Sequence, residues 1–141
     1  MATLACLPEL TLAANKCTVS NTPLPFGTYS PSGQLNNTAS LNINCKAPAA
    51  VKIKINPGNN STGGFNRNMK IAGATSLLNY NLYVDPARTI IWGNGTLGTQ
   101  TRIINAPAGQ APVTTVYGRV PAGQWVPAGS YTDLPQILFE F

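Results

Sequence analysis

The sequence predicts an all-β domain built as an antiparallel sandwich, on three observations. Short runs alternate apolar and polar residues with a period of two, the pattern of strands with one face buried. Gly and Pro contribute 13 and 12 of the 141 residues, so turn formers interrupt the chain too often for long helices. No window carries a convincing helical period, and strand signals recur at sandwich-like spacing with turn clusters between them.

Taken in order, residues 3–16 place Leu4, Cys6, Pro8, Leu10, Leu12 and Ala14 on one side and Ala5, Leu7, Glu9, Thr11 and Ala13 on the other. That segment can pair as a strand in its own domain or in a neighbour's, although Pro8 removes a ladder donor. Ala39, Leu41, Ile43 and Cys45 alternate with Ser40, Asn42 and Asn44, giving a half-buried strand that carries Cys45 inward. The clearest strand is Val51-Lys-Ile-Lys-Ile, with Val51, Ile53 and Ile55 toward the core, Lys52 and Lys54 toward water, and the turn cluster Asn56-Pro-Gly-Asn-Asn after it. Leu78, Tyr80, Leu82 and Val84 then alternate with Asn79, Asn81 and Tyr83 as one strand stopped by Asp85-Pro86. Residues 113–120 and 131–141 complete the set, separated by Pro121-Ala-Gly-Gln-Trp-Val-Pro-Ala-Gly.

A chain of this length holds one domain of ordinary size. Only 9% of it is charged, and the net charge of +5 sets nine Lys and Arg against Glu9, Asp85, Asp133 and Glu140. The cations stand singly along the chain, without the basic stripe of a nucleic-acid binder, so the positive balance reflects scarcity of acids. No run of about 18 apolar residues is present, and nothing spans a bilayer as a helix. Met1-Ala-Thr-Leu has no basic n-region leading into an apolar h-region, so the expectation is a mature or recombinant form with Met1 added for expression.

Catalytic constellations are nearly absent. There is no His, which removes the commonest general base and metal ligand. The four carboxylates form no close pair in sequence, and Asp85 and Asp133 are expected to cap turns or to pair with Arg88 or Arg119. Three cysteines without a CxxC spacing argue against structural zinc. Gly93-Asn-Gly-Thr has neither the lysine nor the following helix of a phosphate loop and is expected to be a turn. The reading is a protein that is not an enzyme and needs no cofactor and no metal.

An ordered series of local patterns runs nearly end to end: Cys17-Thr-Val-Ser, Pro23-Leu-Pro-Phe-Gly-Thr-Tyr, Leu41-Asn-Ile-Asn-Cys, Leu82-Tyr-Val-Asp-Pro-Ala-Arg, Trp92-Gly-Asn-Gly-Thr, Gly118-Arg-Val-Pro-Ala-Gly-Gln and Gly129-Ser-Tyr-Thr-Asp. In order and spacing the series resembles the spore coat protein U family, whose members include subunits of archaic chaperone-usher pili. The resemblance covers residues 17–141 as an immunoglobulin-like sandwich domain and leaves residues 1–16 as an N-terminal extension or first strand. It implies a secreted bacterial protein of the cell surface that assembles with copies of itself or sister subunits, supports adhesion and biofilm formation, and catalyses nothing. It further implies a periplasmic chaperone and an outer-membrane usher as partners, and no nucleic acid. Cys17 and Cys45 sit at the family's paired positions, so a disulfide is expected there; Cys6 lies outside that framework and is free, buried or paired between chains.

In such pilins the fold lacks its last strand, and the N-terminal extension of the next subunit fills the groove. On that reading Leu4, Leu10 and Leu12 are the candidate donor residues, and Ile137, Phe139 and Phe141, in a strand with no sequence left after it, line the candidate acceptor groove. The alternative is that Leu10 and Leu12 belong to the first strand of a complete sandwich.

A second function is open within the same machinery. The tip adhesins carry an N-terminal domain of this general family, and here three loops are unusually apolar: Lys46-Ala-Pro-Ala-Ala, Ala106-Pro-Ala-Gly-Gln-Ala-Pro-Val and Ala122-Gly-Gln-Trp-Val-Pro-Ala. Clustered at one end they would form a hydrophobic patch, centred on Trp125 and Val126, that binds abiotic or host surfaces. Against this stands the expectation that Trp125, lying between two turn segments, folds back to close the sandwich end. A coat-type structural protein is the third reading.

Overall fold

The computed structural model describes residues 2–4, 7–8, 17–110 and 112–140. These contain no helix and the strands β1 (Ala2–Leu4), β2 (Leu7–Pro8), β3 (Cys17–Asn21), β4 (Leu24–Gly27), β5 (Leu35–Cys45), β6 (Ala49–Ile55), β7 (Asn68–Ile71), β8 (Leu77–Asn79), β9 (Asn81–Tyr83), β10 (Arg102–Ala106), β11 (Val113–Val120), β12 (Tyr131–Asp133) and β13 (Gln136–Glu140). They form three sheets, ordered β4-β1-β12-β7-β8, β10-β6-β13-β2 and β3-β5-β11-β9. β12 and β13 are separated only by Leu134 and Pro135, so one strand direction serves the first two sheets. Pairing is antiparallel except where β1 meets β12 and β2 meets β13, both parallel.

The inward faces converge on one core that includes Leu41, Ile43, Val51, Ile53, Ile55, Leu82, Trp92, Val116, Ile137 and Phe139. The alternation read from the sequence is realised on β6, where Val51, Ile53 and Ile55 are fully buried while Lys52 is exposed and Lys54 half-buried. β5 and β11 pair over eight residues, from Leu35↔Val120 to Asn42↔Val113. Gly118 faces the core there because a side chain would overlap Phe26 and Leu24.

Two expected strands are each divided. Leu78–Val84 reads as one alternating run, yet β8 ends at Asn79 and β9 begins at Asn81, in different sheets. The switch falls at Tyr80, which is fully buried and whose amide bonds to the Arg67 carbonyl. The terminal strand likewise breaks at Leu134-Pro135, where proline cannot donate to a ladder. Strands β4, β7 and β10 carry no alternation strong enough to mark them, being short and partly supplied by Pro, Asn and exposed Ile103.

Candidate functional site

The terminal strand β13 lies between β6 and β2. Ile137 and Phe139 pair with Ile55 and Ile53 and are buried in the core, while Lys54 bridges Glu140 at 2.5 Å on the outward face. The Lys54 hydrogen bond holds the Glu140 carboxyl below its usual range. On the other edge of β13, Leu7 and Pro8 of the same chain pair in parallel with Gln136 and Ile137. Just upstream, β1 runs between β12 and β4, with Ala2, Thr3 and Leu4 opposite Tyr131, Thr132 and Asp133. The described N-terminal residues therefore lie along the chain's own final two strands. No described strand pairs with Leu138–Glu140 on the edge that β2 begins to cover. Leu10, Leu12 and Phe141 lie outside the described residues, as does Cys6.

The kink between β12 and β13 is held by a polar network that links it to the turn after β6. Asn56 Oδ1 accepts from the amides of Gln136 (2.8 Å) and Gly58 (2.9 Å). The buried Asp133 accepts from the Asn59 amide (2.9 Å), the Asn60 side chain (3.1 Å) and the Tyr80 hydroxyl (2.5 Å). Beneath them Arg67, fully buried, donates to the carbonyls of Ile55, Asn56 and Trp92 and to Asn81 Oδ1 at 2.7–3.1 Å, and stacks over Phe65. The sequence expectation for Asp133 resolves as a clamp on neighbouring turns. Asp85 similarly accepts from the Thr89 hydroxyl and amide and the Ile90 amide. Neither is ion-paired to Arg88 or Arg119, whose guanidiniums bond to carbonyls and to Asn36.

Cys17 and Cys45 are cross-strand partners on β3 and β5 and form a disulfide with an S–S distance of 1.99 Å. The three apolar loops do not meet at one end. Residues 46–48 and 107–110 come together at one end of β11, with the Gly109 amide bonded to the Cys45 carbonyl, and Ala49 and Ala50 are already strand. The loop of Trp125 leaves the other end of the eight-residue β11, about 24 Å away at the usual strand rise. Nor does Trp125 close the sandwich: it is 87% exposed, whereas Val126 is half-buried against the core. The loop itself is fastened. Gln124 Oε1 accepts from the Asn79 amide (2.7 Å), its Nε2 donates to the Asn79 carbonyl (2.9 Å), and the Tyr29 hydroxyl donates to the Pro121 carbonyl (2.7 Å). Gln124 thus completes the β8 edge as an added strand residue would, leaving the next side chain pointing out.

The Spore Coat Protein U domain profile matches residues 3–137 of this sequence. The chain belongs to that family. A relative, Protein U of Myxococcus xanthus, is 36% identical over 122 residues, spanning 78% of this chain and 66% of its own length. The fold is similar to a chain in the crystal structure of the CsuC–CsuE chaperone–tip adhesion subunit pre-assembly complex from archaic chaperone-usher Csu pili of Acinetobacter baumannii. The TM-score is 0.63 at 20% identity, over 89% of this chain and 40% of that one. The chain thus spans about two thirds of the curated relative and less than half of the structural one.

Within this Spore Coat Protein U domain, the described residues contain no cluster of three or more His, Cys, Asp or Glu side chains able to hold a metal. Among the described residues no helix is long and apolar enough to cross a membrane. Burial raises the pKa of Tyr131, and of Tyr83 against the opposing pull of Arg119. Sequence reasoning missed Arg67, because a single polar residue among Asn, Gly and Phe has no periodicity to betray its burial, and it gave Gln124, quoted within a motif, no role of its own.

Proposed function

We propose that this domain is a non-enzymatic structural subunit of a bacterial surface fibre of the chaperone-usher type, assembled by strand donation. The observation that carries the reading is the outer edge of β13: beyond Ile137 no described strand pairs with that edge, although the strand's inward residues, Ile137 and Phe139, belong to the core. An extended segment of a neighbour can add to such an edge, with backbone hydrogen bonds giving affinity and alternation giving register; the pairing of residues 2–4 and 7–8 within their own chain favours the tip-domain and coat-type readings. Family membership and the likeness to a pilus-complex chain support the same reading. Export through the periplasm with a chaperone, delivery by an usher, and a role in adhesion and biofilm go with it.

The test is a double replacement, Leu10→Ser with Leu12→Ser. The donor reading expects loss of polymerisation with the monomer still folded, since each buried leucine contributes about 1.5–3 kcal/mol. Normal assembly of the double variant would exclude residues 10 and 12 as the donor.

The tip-domain reading is favoured further by the 87% exposure of Trp125 on a tethered loop. Its apolar surface is a single finger, and attachment to hydrophobic surfaces would depend on Trp125 alone.

A further inference from the structure

The outward face of β3-β5-β11-β9 differs chemically from that of β6 and β13. The latter shows water Lys52, Lys54 and Glu140, the charged residues of an ordinary solvated strand face. On β5 and β11 the outward cross-strand pairs are Asn36↔Arg119, Thr38↔Tyr117 and Ser40↔Thr115. Tyr83 of β9 lies opposite Tyr117 on the other side. Short hydroxyl and amide side chains thus surround two adjacent half-buried tyrosines, with no lysine or carboxylate among these positions.

Two guanidiniums stand at the tyrosine end. Arg88, in a left-handed backbone conformation (φ 57°), covers one face of the Tyr117 ring, 5.5 Å from its centroid, and is tied to the carbonyls of Pro86 and Gly118 at 3.0 and 3.1 Å. Arg119 donates its Nε to Asn36 Oδ1 at 2.9 Å. Neither is ion-paired to a described carboxylate, and the neighbouring Asp85 is engaged with Thr89 and Ile90. The positive charge there is fixed in place, with the ionised Asp85 carboxylate nearby but in direct ion pair with neither guanidinium.

We propose that this face binds an acidic polysaccharide, one sugar ring resting on Tyr117 and Tyr83 and its carboxylate on Arg119. The chemistry of the face selects that occupant. Tyrosine rings offer apolar area with a polar tip at low entropic cost, suited to the C–H faces of sugars. Hydroxyls and amides match a ligand rich in hydroxyls, and a guanidinium donates two parallel hydrogen bonds to a carboxylate. A single-stranded nucleic acid needs a cationic groove that follows its backbone, and two guanidiniums confined to one end do not make one. The proposal is independent of whether the domain assembles through its terminal strand.

The experiment is an NMR titration of the isotope-labelled chain with oligogalacturonate, with dextran and single-stranded DNA in parallel. Shifts confined to β5, β9 and β11 are expected from oligogalacturonate. Binding should weaken about tenfold, some 1.4 kcal/mol, in Arg119→Gln and in Tyr117→Thr, and stay unchanged in Lys52→Gln. Equal binding of dextran would overturn the carboxylate contact, and tighter binding of DNA at the same residues would overturn the class of ligand. Silence at millimolar oligogalacturonate, or shifts spread equally over Lys52 and Lys70, would overturn the site. Should Tyr117→Thr fail to fold, the mapped shifts and Arg119→Gln, altered only at an outward position, decide the matter.

Discussion

Arg67 has no exposed surface, and its guanidinium gathers three backbone carbonyls and the Asn81 side chain from three separate parts of the chain. A buried cation is costly to desolvate, so its worth lies in satisfying carbonyls that would otherwise be orphaned. Replacing Arg67 with Met should cost about 3 kcal/mol or more, and Arg67→Lys should recover only part, since an ammonium cannot fork to several acceptors. Denaturant midpoints of the three proteins measure this; equal stability of Arg67→Met would remove the guanidinium from the fold's energetics. Gly58 is constrained in another way. At φ +83° it occupies a conformation that side chains rarely adopt, and a Cβ there would overlap the Asp133 carboxylate. Gly58→Ala is expected to destabilise by about 1–3 kcal/mol through strain and displacement of that clamp.

At the scale of elements, the loop 121–130 and the turn 85–90 show how single side chains fix backbone. Trp125 is exposed and Gln124 makes the tether, so Trp125→Ser should shift stability by no more than about 0.5 kcal/mol, whereas Gln124→Ala should lower it by about 1 kcal/mol. A thermal melt in which Trp125→Ser loses several degrees would mean that the tryptophan does cap the core. In the turn, the Thr89 hydroxyl chiefly, helped by the Ile90 and Thr89 amides, holds the Asp85 carboxyl below its usual range. With a depressed folded pKa, this contribution is fully present above the ordinary carboxylate value near about pH 4 and is lost as pH falls through the lower, folded one. Asp85→Asn should therefore flatten the acid limb of stability against pH, read by chemical denaturation between about pH 5 and 2.

For the molecule as a whole, the N-terminal pairing decides what kind of assembly is possible. Thr3 lies opposite Thr132 in parallel register, so Thr3→Cys with Thr132→Cys gives a thiol pair whose oxidation reports which chain supplies the strand. A crosslinked monomer is expected where a chain fills its own edge, and a ladder of crosslinked multimers where the fibre forms by donation. Appearance of neither on a non-reducing gel would deny that register altogether. The Cys17–Cys45 bridge closes a separation of 28 residues at the outer edge of its sheet. Its reduction should cost about 3–4 kcal/mol by the chain-entropy account, observable as a lower melting temperature in reductant.

The sequence by itself determined the β class, the inward residues of β5 and β6, and the pairing of Cys17 with Cys45 through the family pattern. Each of these rests on a local signal, a period of two or a motif, which a strand imposes wherever it ends up. Tertiary structure alone decided that the strand through Tyr80 changes sheets, that Arg67 is the polar centre of the kink, and that the apolar loops lie at opposite ends. Those outcomes depend on which strands become neighbours and how they twist past one another. Alternation specifies a face for every side chain but names no partner for it, so the partners of Arg67, Gln124 and the N-terminal strands emerge only when the sheets are packed.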